Sequence, residues 1–284
     1  MIKRIFLLGL ITVLCAFITA CQEDRANSDN QPHNNGQNDR PANNEIKDMH
    51  GMVENIERLD LFVKNMQSGK KDKVRLTRFT IEGDPIFHDL DYNGSKLEIK
   101  VDTTKDKFGQ GEIITYVCKG IQKHESNTET KYSLIECPNL EELLTISHDV
   151  DQQDYFAFEL KYGVGMKNII DTKDQRLVKD LQNGETIAVS DFQFSKEEMN
   201  KIYKLMILSN YLGEKKLNKE CNQEPYKSYE LNVWINSGER QFEWSECDKS
   251  PDGKEMIELV HDILDILKNN STYQSLPEVK GSYE

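Results

Sequence analysis

The sequence predicts an α+β protein: two small domains, each an antiparallel sheet packed with one or two helices, behind a signal peptide and a disordered tether. Three observations carry this reading. Runs of alternating polarity follow one another with Gly, Asn and Pro turns between them. A few other runs repeat apolar residues every three to four positions. Residues 21–48 hold almost no large apolar side chain. The boundaries that follow are 1–20 for the signal, 21–48 for the tether, 49–140 for an N-terminal domain, 141–153 for a linker and 154–284 for a C-terminal domain.

Lys3 and Arg4 precede the apolar run "IFLLGLITVLCAFI", which leads into Ile18-Thr19-Ala20-Cys21. A basic start, a short apolar core and a small residue before the break describe a secretory signal. The run falls short of the ~20 apolar residues that cross a bilayer, and no stop-transfer segment follows. The tetrapeptide "ITAC" is similar to a bacterial lipobox, in which Cys21 is acylated and becomes the first mature residue; ordinary cleavage after Ala20, leaving a free thiol, is the alternative. Two or three acyl (palmitate-type) chains on Cys21 make a stable anchor, where one holds only marginally. The polar segment behind it spans about 30 Å as a flexible chain, and its His33 reads as a solvated side chain.

Acidic residues number 49 against 36 basic ones, a net charge of −13. Such a surface repels phosphate backbones, so nucleic acid is excluded as a partner. The charge reads as a solvated coat. The membrane, through Cys21, and a protein in the envelope remain as the expected partners.

The first domain opens on a helix, with Met52, Ile56, Leu59, Val63 and Met66 as its buried stripe and Gly69 as its stop. Strands follow in "KVRLTRFTI", "IFHDLDY", "KLEIKVDT", "GEIITYVCKGI" and "TKYSLIEC". The stretch Asp89-x-Asp91-x-Asn93-Gly94 begins as a calcium loop begins, but its twelfth position is Lys100, a cation, and its flanks are strands. Folding at Asn93-Gly94 instead sets Leu90 against Leu97 and Ile86 against Val101. His88 then lies among apolar residues as a hydrogen-bonded side chain at the edge of the core. "LEELLTISHDVDQQ" reads as a short helix or acidic linker.

In the second domain "YFAFELKY" and "ETIAVSDFQF" read as strands around an irregular stretch. A helix begins at Ser195, which forms a capping box with Glu198, and ends by Gly213. The hairpin "YELNVWINSGERQFEWSEC" follows, then a helix opened by Ser250-Pro251 with Ile257, Val260, Leu264 and Leu267 inward. Within the hairpin, Tyr229, Leu231, Val233 and Ile235 share one face. Trp234 has the opposite parity, among Glu230, Asn232 and Asn236, so it is either covered by a neighbouring segment or offered to a partner.

Four cysteines lie beyond Cys21: Cys118, Cys137, Cys221 and Cys247. An even number in an exported chain reads as disulfides. A hairpin folded at Asn127-Thr128 sets Cys118 opposite Cys137 and leaves Cys221 to Cys247. No C-x-x-C spacing supports a zinc site. No nucleophile motif, phosphate loop or H-E-x-x-H is present, and the six histidines are scattered. No catalytic residue, metal site or cofactor is therefore assigned.

The segment "HGMVENIERLDLFVKNMQSGKKDKVRLTRFTIEGDPIFHDLDYNG" resembles a domain-of-unknown-function family found in lipoproteins of bacilli, over about Met49 to Asn139. "YGVGMKNIIDTKDQRLVKD", "EEMNKIYKLM" and "LPEVKGSYE" are similar to a second uncharacterised segment of such lipoproteins. The resemblance implies a lipid-anchored domain facing the wall of a Gram-positive envelope, and no activity. The sequence thus points to a non-enzymatic binding module on the outer face of the cytoplasmic membrane. A carboxylate-pair hydrolase and a soluble-ligand or cation binder are the alternatives.

Overall fold

The computed structural model describes residues 44–283. The signal peptide, Cys21 acylation and tether expected over residues 1–43 lie outside the described residues.

The first half runs β1 (Glu45–Met49), β2 (Met52–Glu54), α1 (Ile56–Gln67), β3 (Asp72–Phe79), β4 (Pro85–Tyr92), β5 (Leu97–Asp102) and β6 (Ile113–Cys118), then β7 (Gly120–Glu125), β8 (Glu129–Ile135) and β9 (Glu142–Ser147). The first six strands form one sheet in the order β2-β1-β3-β4-β5-β6, and β7-β8-β9 form a small second one. The second half runs β10 (Phe156–Val164), β11 (Asn168–Asp171), β12 (Arg176–Asp180), β13 (Thr186–Ser190), α2 (Lys196–Leu208), β14 (Lys227–Ile235), β15 (Gly238–Ser245), α3 (Pro251–Asn269) and α4 (Ser271–Gln274). Its sheet has the order β13-β12-β11-β10-β14-β15. The fold is α+β, with antiparallel pairing everywhere except between β1 and β3.

Helix α1 buries Ile56, Leu59, Phe62, Val63 and Met66. Met52, expected on its stripe, lies in β2, because Asn55 at φ 60° stops helical geometry from extending backward. Arg58 on this helix makes a two-pronged contact with Asp72 at 2.6 and 3.0 Å. Burial alone would raise the Asp72 carboxyl, but the hydrogen bonds from Arg58 and Asn65 hold it below its usual value. On the far side of α1, Asp60 accepts from Tyr132 at 2.7 Å and from Lys123 at 3.0 Å, which fixes the small sheet against the helix.

Several expectations shift. Glu45–Asp48, given to the tether by composition, belongs to β1. One fully buried residue, Ile46, carries it, opposite Leu76 of a strand 30 positions on. The β4–β5 hairpin keeps its predicted faces but slides by two residues, pairing Leu90 with Ile99 and Tyr92 with Leu97. The cause is the turn: Asn93 Oδ1 accepts from Ser95 N and Lys96 N, each at 3.0 Å, making a four-residue loop around Gly94 at φ 98°. Asp89 and Asp91, the apparent calcium ligands, face Arg75 and Lys73 across β3–β4. His88 is buried, and its Nδ1 has no partner among the described residues. "ELLTIS" is a strand and not a helix, since Leu144 and Ile146 turn inward beside β8 at period two.

In the second half the irregular stretch contains β11 and β12, turned at Thr172–Gln175 where Asp171 Oδ1 accepts from Lys173 N and Asp174 N. The capping box of α2 forms as read, Glu198 N donating to Ser195 Oγ and Ser195 N to Glu198 Oε2. That helix ends at Leu208 and not at Gly213, because Asn210 takes φ 44°. Helix α3 starts at Pro251 under Ser250, and its fully inward residues are Met256, Leu259, Val260, Ile263 and Leu267; Ile257 and Leu264 are only half-buried. The two halves share one continuous apolar core, from Ile46 to Leu267. Polar ties run between them: Asn210 to Glu54 at 2.8 Å, Val150 N to Asn200 Oδ1 at 3.0 Å, and Lys204 to Glu125 at 3.1 Å.

Candidate functional site

The hairpin β14–β15 turns on Asn236-Ser237, with Asn236 at φ 52°. Its side chain accepts from Asp154 N at 2.9 Å and Tyr155 N at 3.3 Å, so the tip of the hairpin is fastened to the entrance of β10. Two residues before the turn stands Trp234, beside Ala157 on β10 and Glu239 on β15. It is half-buried. Lys173 reaches its ring from beyond β10, with Nζ 4.2 Å from the centroid. Two local features allow this reach. The side chain lying between them, Ala157, is small, and the Asp171 turn holds Lys173 at the end of β11.

The same face carries a polar quartet. Glu159 and Lys161 of β10 stand opposite Asn232 and Glu230 of β14. Lys161 Nζ lies 3.2 Å from Glu159 and 2.9 Å from Glu230, and Asn232 Nδ2 donates to both carboxylates at 3.1 Å. The Lys161 hydrogen bond holds the Glu230 carboxyl below the usual glutamate range, and Glu230 in turn raises the Lys161 ammonium. Arg176, Ala188, Ser190, Glu239 and Gln241, at positions of the same parity, are exposed. The opposite face buries Phe158, Leu160, Ile170, Leu177, Tyr229, Leu231 and Trp244 in the core. The hairpin sequence already named Glu230 and Asn232 as neighbours of Trp234. Glu159, Lys161 and Lys173 are not singled out by the sequence; the alternation in "FAFELKY" could have placed the first two, and nothing local signals Lys173, which lies in the turn after β11.

Elsewhere, a concavity of about 510 Å³ lies where the His50-Gly51 turn between β1 and β2 meets Tyr203 and Ile207 of α2, with Tyr211 and Ile235 beside them. Burial pushes both the Tyr203 and the Tyr211 hydroxyl upward, so neither ionises near neutral pH.

The cysteines pair as Cys118–Cys137 and Cys221–Cys247. The first continues outward from the β7–β8 register, in which Gly120 opposes Ile135. The strand read as one through Cys118 is in fact two, β6 and β7, lying in different sheets. The second bridge ties the loop after α2 to the end of β15. Searches among curated proteins and among solved structures return no match. Residues 43–133, which span the first sheet, α1, β7 and most of β8, match a family model described as a domain of unknown function, DUF4362.

Proposed function

We propose that this chain is a lipoprotein of the bacterial envelope, held by acyl chains on Cys21 at the outer face of the cytoplasmic membrane, and that it binds a protein partner through the sheet face around Trp234. The observation that carries the binding role is Trp234 itself: a large aromatic, half-exposed among charged groups on a face whose outer positions are open. Aromatic anchors ringed by polar groups are what binding hot spots are made of. A non-catalytic role is favoured by the carboxyl groups. Asp72, Asp84, Asp102, Glu125, Glu142 and Glu230 are all pushed down. A carboxylate-pair hydrolase needs an acid pushed up.

Crosslinking on intact cells tests both parts. The wild-type chain should give a discrete crosslinked product in the membrane fraction. Trp234→Ala should abolish that product without changing the amount of protein, and Cys21→Ser should release the chain from the membrane. An unchanged product from Trp234→Ala refutes the binding face, and retention of Cys21→Ser at the membrane refutes the anchor.

A further inference from the structure

Strand β12 lies one in from the edge of the second-half sheet. Its alternation puts Arg176, Val178 and Asp180 on the Trp234 face and Leu177 and Lys179 on the helix side. Lys179 is only 6 % exposed. Its stem is packed away while the ammonium keeps contact with the space beside it, as long cationic side chains do. Among the described residues Lys179 has no carboxylate and no hydrogen-bond acceptor; its Nζ rests 4.5 Å from the centroid of the Tyr273 ring.

The side chain lines a cavity of about 430 Å³, whose other walls are Tyr273, Leu276, Val279, Lys268 and Glu278. Apart from Lys268 on α3, these walls come from the segment after that helix, which is brought back over the sheet by its own end. Lys280 N and Gly281 N both donate to the Leu181 carbonyl, and the Tyr283 hydroxyl donates to Asp180 at 2.5 Å and accepts from Lys167 at 2.8 Å. A Cβ on Gly281 would stand 2.1 Å from Gln182 O, so the approach requires glycine. Lys268 is already engaged by Asp265 at 2.7 Å. Glu278 is the one carboxylate on the cavity wall and makes no ion pair with Lys179, which is left without an anionic partner beside a space large enough for a small molecule.

We infer that this cavity binds a small amphiphilic anion, with a carboxylate or phosphate on Lys179 and an apolar body against Tyr273, Leu276 and Val279. An ion pair formed in such a partly desolvated site is stronger than one on the surface. The cavity lies on the opposite side of the sheet from Trp234, so this inference stands or falls separately from the envelope reading.

The test is calorimetric titration of the full chain, as its Cys21→Ser form, with octanoate, octyl phosphate and uncharged octanol. At least one anion should bind saturably, with octanol about tenfold weaker or more. Lys179→Met should lose about tenfold or more in anion affinity. Competition of bound octyl phosphate by phosphatidylglycerol vesicles would identify a lipid headgroup as the natural ligand, and absence of competition a soluble one; both support the site. Failure of both anions to bind, equal binding of octanol, or unchanged affinity in Lys179→Met overturns it. The comparison of octanoate with octanol on the unsubstituted chain decides the matter even if Lys179→Met does not fold.

Discussion

Two side chains break the parity of their sheets in opposite senses. His88 is a polar residue on the buried face of the first sheet, between Leu76 on β3 and Val101 on β5. Trp234 is an aromatic on the polar face of the second. The first exception is kept from water and becomes a titration problem; burial and the nearby Arg78 push His88 down to about 4. The second keeps partial contact with water and acquires a cation over its ring. Misplaced parity therefore has different consequences according to which face receives it. A polar group inside costs stability, whereas an apolar group outside costs little and can serve recognition.

The largest effect should come from moving to the tryptophan that obeys parity. Trp244, on the returning strand, is 1 % exposed and stacks on Tyr229 at 5.3 Å. Trp244→Ala should cost about 4 kcal/mol in urea unfolding, while Trp234→Ala should cost under about 1 kcal/mol. Equal losses would remove the distinction between the faces. The same contrast should be visible in fluorescence, with Trp234 accessible to acrylamide and Trp244 protected.

His88 supplies the next largest effect, and its sign is fixed. The folded state keeps this imidazole neutral to about pH 4, whereas the unfolded chain takes up the proton near pH 6.5. Its contribution is therefore intact above pH 6.5 and is lost as pH falls toward 4, by about 3 kcal/mol. His88→Leu should flatten that window in pH-dependent unfolding. The lowered carboxyls, such as Asp72 and Glu230, act in the more acidic range, below their ordinary values.

Lys161→Met comes third, because it leaves Glu159 and Glu230 side by side with only the Asn232 amide between them. A loss of about 1–2 kcal/mol is expected at neutral pH. It should shrink as acid protonates Glu230, whose folded value is depressed, and should also fade in alkali as Lys161 itself deprotonates. A loss independent of pH would show that the quartet acts by packing alone. Smallest is Lys173→Ala, at about 0.5 kcal/mol, but it should increase acrylamide quenching of Trp234. Unchanged quenching would mean that the ring is shielded by something other than Lys173.

Much of this was legible because the signals are local. The Ser195–Glu198 cap and the shared face of Tyr229, Leu231 and Val233 each depend on residues within a few positions of one another. The cysteine pairing was legible because a hairpin extends its own register. The Asn93 turn shows where such reading stops. Asn-Gly suggested a two-residue loop, but the Asn93 side chain preferred a wider turn, and the register slid by two while every face survived. Strand β1 was hidden for another reason: parallel pairing with β3 makes a strand out of a stretch with one buried apolar residue, Ile46.

Period and turn chemistry, read from the chain alone, set which side chains face inward, which cysteines pair and which tryptophan stands out of place. Sheet order was decided only in three dimensions, and with it who meets whom across strands. The Glu159–Lys161–Glu230–Asn232 quartet, Lys173 over Trp234, and Tyr283 on Asp180 join residues about 60 to 100 positions apart. A sequence records each residue's own periodicity but not the neighbour that a folded sheet will place beside it.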